Sequence, residues 1–243
     1  MKANETETGL SRRRFLRATG LGLLAAATGC SPGAPAPSPS SPPGSQSPNP
    51  GQRTWKWEIR YIKGTPRVDL ATWRLRVDGL VEQPAQWSLD ELQALPVTEQ
   101  SSRMKCVECW SGPALWRGVA GRDLLAQVRP LSKASHVRLY ALDGYDTTLP
   151  LPVVMAPRSI FVYAMDGGPL PPDNGAPLRL IVPSLYGYKN CKGIERVEVT
   201  DRPVPGYWER AGYPDDGTIR AGTDHPLDLG VTRPIIGGEI TDY

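Results

Sequence analysis

The sequence predicts a mixed, strand-rich α+β domain, on three observations. Short apolar runs of strand length recur between Trp73 and Thr200, several of them alternating apolar and polar residues with period two. Helix-start signals are confined to short stretches near Ser88 and Gly121. Long Pro- and Gly-containing segments separate these elements, and no internal repeat is visible. No Gly-rich phosphate loop runs from a strand into a helix, so nucleotide-binding folds have no support.

Trp73, Leu75 and Val77 alternate with Arg74, Arg76 and Asp78, which predicts a half-buried strand stopped by Gly79. Ser88-Leu89-Asp90-Glu91 fits a capping box, and the helix it opens must end by Pro96. Gly121 to Val128 reads as a second short helix closed by Pro130. Val137, Leu139 and Ala141 alternate again, and an Asp143-Gly144 turn sends the chain back through Leu149 as a hairpin. Ile160 to Ala164 and Leu178 to Val182 are continuous apolar runs of buried-strand length, and Ile194 to Thr200 alternates once more.

The formal charge of +3 is misleading. Lys2, Arg12, Arg13, Arg14 and Arg17 against Glu5 and Glu7 place the whole excess in residues 1–29 and leave the remainder neutral. Without a basic run there is no electrostatic footprint for nucleic acid. Ser11-Arg12-Arg13-Arg14-Phe15-Leu16-Arg17, followed by the short apolar run Leu21 to Ala27, resembles a Tat-type export signal over residues 1–29. That run is too short to span a bilayer, which takes about 20 apolar residues. Ala27-Thr28-Gly29-Cys30 reads as a relaxed lipobox that would leave Cys30 lipidated; an incidental cysteine beside an ordinary cleavage site is the alternative. Residues 30–52, rich in Ser, Pro, Gly and Ala, read as a tether, 53–213 as the catalytic domain and 214–243 as a tail. The tail, with His225-Pro226 and Pro234 to Gly238, is either a packing arm or a partner-docking segment.

Cys106-Val107-Glu108-Cys109-Trp110-Ser111 concentrates the most reactive side chains just after a predicted strand. A CxxC in an exported chain reads as a disulfide, half of a zinc site or a redox pair. For zinc, only Cys191, His136 and His225 remain to complete the ligand set, and none forms a second pair with ligand spacing. A thioredoxin-like pair would open a helix, whereas Trp110-Ser111-Gly112-Pro113 does not continue as one. Spacing alone leaves a structural or redox pair and a metal role open.

Wider segments separate these readings. Trp73 to Leu80, Cys106-Val107-Glu108 with Trp110-Ser111, Trp116-Arg117-Gly118-Val119 before Leu124-Leu125, and Asp143-Gly144-Tyr145 occur in order. Asn174 to Leu180 and Tyr186-Gly187-Tyr188-Lys189 with Lys192 follow. This ordered set, over Trp55 to Tyr213, resembles the sulfite-oxidase family, and within it the branch of periplasmic methionine-sulfoxide-reducing molybdoenzymes. The resemblance implies a single-domain, sulfite-oxidase-type molybdopterin-binding fold, with a molybdenum-molybdopterin cofactor and Cys106 as the protein ligand to the metal. A thiolate is a soft donor suited to a metal already held by dithiolene sulfurs. It further implies that Asn174, Arg179 and Lys192 contact the pterin and its phosphate, that Trp57 and Glu58 touch the pterin, and that Tyr188 and Lys189 flank the same loop. An Arg fork and a Lys point charge suit a phosphate. Taken alone, Arg179 reads as a salt-bridged strand residue and Lys192 as a solvated loop charge. The chain departs from its relatives at Cys109, where they carry a small residue, and at Ala141, Thr54 and Gly193.

The expected reaction is oxygen-atom transfer or an allied two-electron step, with a sulfoxide as one candidate substrate. Sulfite would call for cations beside the metal, and here Cys106 is followed by an acid and an aromatic. A cofactor-free exported binding protein that keeps the fold, and a thiol redox protein using Cys106 and Cys109, are the alternatives. The sequence carries no haem-attachment or flavin signature, so electrons are expected to pass through a separate partner, a c-type cytochrome or a membrane haem protein. Only 30 residues follow Tyr213, too few for the immunoglobulin-like dimerisation domain of larger family members, so a monomer is expected, on the periplasmic or outer side of the membrane.

Overall fold

A computed structural model describes residues 56–242; the twin-arginine segment, Cys30, the Pro/Ser-rich stretch and Thr54 lie outside the described residues. The first sheet runs β2 (Ala85–Trp87), β1 (Leu75–Gly79), β10 (Ile194–Thr200), β5 (His136–Ala141), β6 (Asp146–Pro150). Within it β1 and β10 are parallel and the other pairs antiparallel. The second sheet is built around β4 (Trp110–Ala120), which pairs along its length with β3 (Val97–Lys105). Its other edge takes β7 (Ile160–Met165) at one end and β11 (Arg220–Pro226) at the other. The strands β8 (Gly168–Pro169), β9 (Arg179–Ile181) and β12 (Arg233–Gly237) complete it. No helix among the described residues is long and apolar enough to cross a membrane.

The strand-rich α+β architecture follows from alternation that buries one face of each strand. Leu75, Val77, Val137, Leu139, Val197 and Val199 of the first sheet join Val119, Phe161 and Leu180 of the second in one core. The helix α2 (Gly121–Val128) contributes Leu124, Leu125 and Val128 to the same core, with spacing that places all three on one face. Each such side chain stabilises the fold by roughly 1.5–3 kcal/mol relative to leaving it in water. A second cluster, containing Trp57, Met104, Trp110, Trp116, Ile160 and Ile181, underlies the cysteine segment.

Local signals read from the sequence are realised closely in several elements. The helix α1 (Leu89–Gln93) carries the full capping box: Glu91 N donates to Ser88 Oγ at 3.2 Å, and Ser88 N to Glu91 Oε2 at 2.7 Å. It ends at Gln93, three residues short of Pro96, consistent with the bias of a proline against helix in the residue before it. Helix α2 occupies the expected eight residues, and Arg129 in the left-handed region turns the chain toward Pro130. The hairpin of β5 and β6 turns through Gly144 at φ +86°, with Tyr145 N donating to Asp143 Oδ1 at 3.1 Å. The first strand starts at Leu75 rather than Trp73, because Trp73 N closes a turn onto Asp69 O at 2.9 Å.

Two features escape local reading. Strand β4 contains Gly112, Pro113 and Gly118, which mark a loop by composition, yet it runs eleven residues. Pro113 is tolerated because β11 leaves that edge at Ser111 and β7 joins only at Trp116, so no ladder there needs its missing N–H. The other is the tail: residues 220–237 form β11 and β12, which extend the second sheet, so residues 214–242 pack as an arm of the domain. Gly118 shows how tightly β4 and β7 approach, since a Cβ there would stand 1.9 Å from the Phe161 carbonyl oxygen. Gly118→Ala is therefore expected to cost about 2–3 kcal/mol by forcing the two strands apart. Urea unfolding checks it, and an unchanged midpoint would contradict the packing.

Candidate functional site

Strand β3 ends at Lys105, the chain turns over Cys106–Cys109, and β4 begins at Trp110. Cys106 N donates to Trp110 O at 2.9 Å, and Cys109 takes φ +70° to complete the turn. Beneath the turn the Lys105 ammonium is buried, donating to Cys109 O at 2.5 Å, Thr223 O at 3.2 Å and Asp224 Oδ1 at 2.9 Å. Burial lowers its pKa against the pull of Asp224. Ser111 Oγ donates to the second Asp224 oxygen at 2.8 Å. His225 N donates to Cys109 O at 2.8 Å, so β11 of the tail buttresses the cysteine turn directly.

Cys106 and Cys191 carry free thiols, whereas Cys109 is disulfide-bonded, so the Cys106–Cys109 pair weighed from the sequence does not form. Cys109 is half-buried. No group of three His, Cys, Asp or Glu side chains among the described residues is placed to hold a metal, and His136 and His225 sit on different sheets. Burial pushes the Cys106 thiol up to about 11 in the metal-free protein, and its Sγ lies 3.8 Å from Glu108 Oε2.

Beside this turn opens a cleft of about 640 Å³. One wall is the segment 56–65, held by Tyr61 Oη donating to Pro172 O at 2.8 Å, Ile62 N to Asp143 Oδ2 at 2.8 Å and Thr65 Oγ1 to Asp173 Oδ1 at 2.6 Å. The opposite wall carries Tyr145, Tyr188, Tyr207, Trp208 and Tyr213. Their rings touch in sequence, Tyr188 to Tyr213 at 5.2 Å, Tyr213 to Trp208 at 5.1 Å and Trp208 to Tyr207 at 5.3 Å. Asn190 shapes the loop beneath them: its side chain accepts from Val182 N at 2.5 Å and donates to Leu185 O and Tyr186 O at 3.0 Å each.

The deep end is cationic. The Arg179 side chain is 2% exposed; Nη1 donates to the Asn174 carbonyl at 2.8 Å, and among the described residues the guanidinium has no acidic partner and Nε no hydrogen-bond partner. Its guanidinium lies 5.3 Å from the Trp116 ring centroid and 5.9 Å from that of Trp57, and burial lowers its pKa to about 10. Lys192, bridged to Arg179 between backbones, places Nζ 4.0 Å from the Tyr61 ring centroid and 2.5 Å from the Arg60 carbonyl. Burial, then Arg179, lowers Lys192 to about 8. Gly175 at φ +110° lets the two approach, because a Cβ there would meet Lys192 Cβ at 3.0 Å and Arg179 Cβ at 3.1 Å. The salt-bridged reading of Arg179 thus fails: it is a buried cation facing a cleft.

Of the residues singled out from the sequence, Trp57, Glu58, Arg179, Tyr188 and Lys192 line the cleft, and Cys106 adjoins it through Val107 and Glu108. Glu58 keeps its carboxylate largely in water, 3.4 Å from Arg60. Asn174 reaches Arg179 only through its main-chain oxygen. Lys189 is the correction: its ammonium is buried away from the cleft, donating to Thr148 O at 3.0 Å and paired with Glu209. In the 3-10 turn Gly187–Lys189 successive side chains diverge, so Tyr188 faces the cleft while Lys189 points into the protein. Arg60, Tyr61, Glu108, Trp208 and Tyr213 also line the cleft, and no spacing in the sequence marked them as a group. At the positions of departure, Ala141 is buried at the end of β5, and Gly193 adopts φ +62°.

The deep cations lead to a prediction that needs no cofactor. Sulfate stays fully ionised near neutral pH, so its binding to the metal-free protein should weaken roughly tenfold from pH 7 to 9 as Lys192 loses its proton, while Arg179 keeps its charge. Calorimetric titration checks this, with Lys192→Met expected to abolish most of the pH dependence. A slope unchanged in that variant would place the anion elsewhere.

Known proteins identify the family of the chain. The profile of the oxidoreductase molybdopterin binding domain matches residues 62–208. An uncharacterized oxidoreductase of Bacillus subtilis (strain 168), YuiH, is 37% identical over 146 residues, 60% of this chain and 74% of the relative. A putative protein-methionine-sulfoxide reductase subunit of Azospira oryzae, YedZ1, is 39% identical over 146 residues, 60% of this chain and 56% of the relative. The protein-methionine-sulfoxide reductase catalytic subunit MsrP of Gluconobacter oxydans (strain 621H) is 33% identical over 186 residues, 68% and 60% of the two chains. This chain therefore spans less than two thirds of the length of the last two. Among solved structures, the sulfane dehydrogenase SoxCD of Paracoccus pantotrophus superposes with a TM-score of 0.61 at 18% identity, over 92% of this chain and 66% of that one, a likeness of fold. With a family match over 62–208, the chain belongs to the oxidoreductase molybdopterin-binding domain family, in a sulfite-oxidase-type fold.

Proposed function

We propose that this protein is an exported molybdenum-cofactor-dependent oxidoreductase that takes an oxygen atom from an uncharged donor of the sulfoxide class, with Cys106 as the protein ligand to the metal. The observation that carries the reading is Arg179, a buried guanidinium with no acid and no partner for Nε among the described residues, beside Lys192 in a cleft that adjoins a free cysteine. An uncompensated buried cation is costly unless an anion completes it. The pterin phosphate is such an anion, and Trp57, Tyr61 and Tyr188 offer flat surfaces toward a ring system. Trp110 Nε1, buried at the cleft without a partner, is a further donor for a polar group. The residues present therefore suit the cofactor.

When bound, the molybdenum centre supplies two-electron oxygen-atom chemistry. The chain's own residues do the rest. Arg179 and Lys192 would hold the phosphate by charge-assisted bonds. The Lys105–Asp224 pair and β11 hold Cys106 in place, and Cys106 would serve as a metal ligand in its thiolate form. The aromatic wall from Tyr188 to Trp208 excludes water and packs against an apolar, polarisable substrate such as a methionyl sulfoxide. Relatives named as methionine-sulfoxide reductase subunits support this substrate class. Electrons come from a separate partner, a c-type cytochrome or membrane haem protein, met on the periplasmic side. Free Cys106 beside a disulfide-bonded Cys109 gives no support to a thiol redox pair.

Expression in a host that makes molybdopterin is expected to give about one molybdenum per chain and a visible band, and Cys106→Ser should lose the band and nearly all methionine-sulfoxide reduction, by at least ~10³-fold in kcat. Plasma mass spectrometry, absorption and a sulfoxide assay check it. A folded wild-type protein without molybdenum would refute the proposal.

A further inference from the structure

The cleft holds a third cation, and it is treated differently from the other two. Arg60 belongs to the wall segment, and its main-chain oxygen accepts from Lys192 Nζ at 2.5 Å, which fixes the backbone there. Its guanidinium reaches across to the cysteine turn and pairs with Glu108 at 2.8 Å. Both members are solvent-facing, with side chains 65% and 41% exposed, so the pair contributes little to stability. Its position matters more. The Glu108 carboxylate is the group that Cys106 Sγ approaches at 3.8 Å, and Tyr213 closes the same mouth, its hydroxyl pushed up by burial and then by Cys106 and Glu108. The cations at the deep end have no acidic partner among the described residues, whereas the cation beside Cys106 is closed by an acid.

We infer that Glu108 is a specificity-determining residue: by holding Arg60 in an ion pair beside Cys106, it withholds from the mouth the guanidinium that an oxyanion substrate would need. The inference rests on the oxygen-atom-transfer reading above and deepens it. An approaching anion meets the acid of a neutralised pair and an aromatic wall, so it gains no charge-assisted bond and loses part of its hydration. A neutral sulfoxide meets no such barrier. Released from Glu108, Arg60 would keep only its longer, largely exposed 3.4 Å contact with Glu58 and could turn its remaining N–H donors to the space in front of Cys106 to bind a tetrahedral oxyanion. The discrimination is therefore built mainly from one acid that occupies a cation, a repulsive element of the kind that specificity commonly uses.

The test is calorimetric titration with sulfate at constant ionic strength, kept constant with chloride, on the cofactor-loaded full chain and its Glu108→Gln, Glu108→Ala and Glu108→Gln/Arg60→Gln variants. Glu108→Gln and Glu108→Ala should each bind sulfate ~5–10-fold more tightly than wild type, and the double variant should lose that gain. In turnover the same sulfate should raise KM for the sulfoxide in Glu108→Gln without lowering kcat. Equal sulfate affinity in wild type and both Glu108 single variants, or a gain that survives removal of Arg60, would overturn the inference. Because the gain is defined by its dependence on Arg60, sulfate held at Arg179 and Lys192 in any cofactor-free fraction, a site all four proteins share, does not produce it. The metal content of the same preparations reports separately on the proposed function.

Discussion

The buried ion pair between Lys105 and Asp224 joins the last residue of β3 to the tail strand β11 directly under the cysteine turn. Both side chains are withdrawn from water, at 2% and 0% exposure, and such a pair commonly costs as much in desolvation as it returns in attraction. Its value is positional. Lys105 also donates to the carbonyls of Cys109 and Thr223, and Asp224 also accepts from Ser111, so one pair sets where the turn stands relative to β4 and β11. Arg233 of β12 lies 3.4 Å from the same carboxylate and pairs with Asp242. Arg103, one strand turn earlier on β3, clasps Asp228 at 2.6 Å and 3.0 Å. The tail is thus bolted to β3 at two positions just ahead of the cysteine, and the position of Cys106 depends on chain that follows more than a hundred residues later.

Pairing state separates structural cations from the cations of the site. Lys105, Arg103 and Lys189 are buried and each has its own carboxylate. Arg179 is equally buried and has none. A buried charge left open is retained only where something outside the chain completes it, and the two aromatic rings of Trp57 and Trp116 offer it only partial compensation. The same contrast explains why Lys189, adjacent to a cleft-lining tyrosine, has no part in the cleft: its charge is already satisfied by Glu209 and the Thr148 carbonyl.

Electrostatics also divides the cleft along its length. Its deep end attracts a polyanion through Arg179 and Lys192, whereas its mouth near Cys106 is neutralised by Arg60 and Glu108 and lined with tyrosine and tryptophan. A cofactor that carries a phosphate at one end and a metal at the other matches that polarity, and so does a substrate without charge. The wall segment 56–65 serves both ends, since its carbonyl at Arg60 holds Lys192 while its side chain there reaches Glu108.

The sequence by itself determined the elements whose signals are local. The capping box at Ser88, the eight residues of α2, the β5–β6 hairpin and the strand Ile194–Thr200 follow from contacts within a few residues, where periodicity and capping act. Ordered segments around Cys106, Asn174–Leu180 and Tyr186–Lys192 also imply cofactor contacts, through family resemblance and not through spacing. Only the tertiary structure decided the rest. Strand β4 hides behind Gly112, Pro113 and Gly118, because a residue's fitness for a strand depends on which edge is paired at that point. The docking of the tail, the meeting of Arg60 with Glu108, the isolation of Arg179 and the satisfaction of Lys189 each join residues distant in the chain. Whether a charge is buried, paired or open is a property of neighbours brought by folding, and no local pattern encodes it.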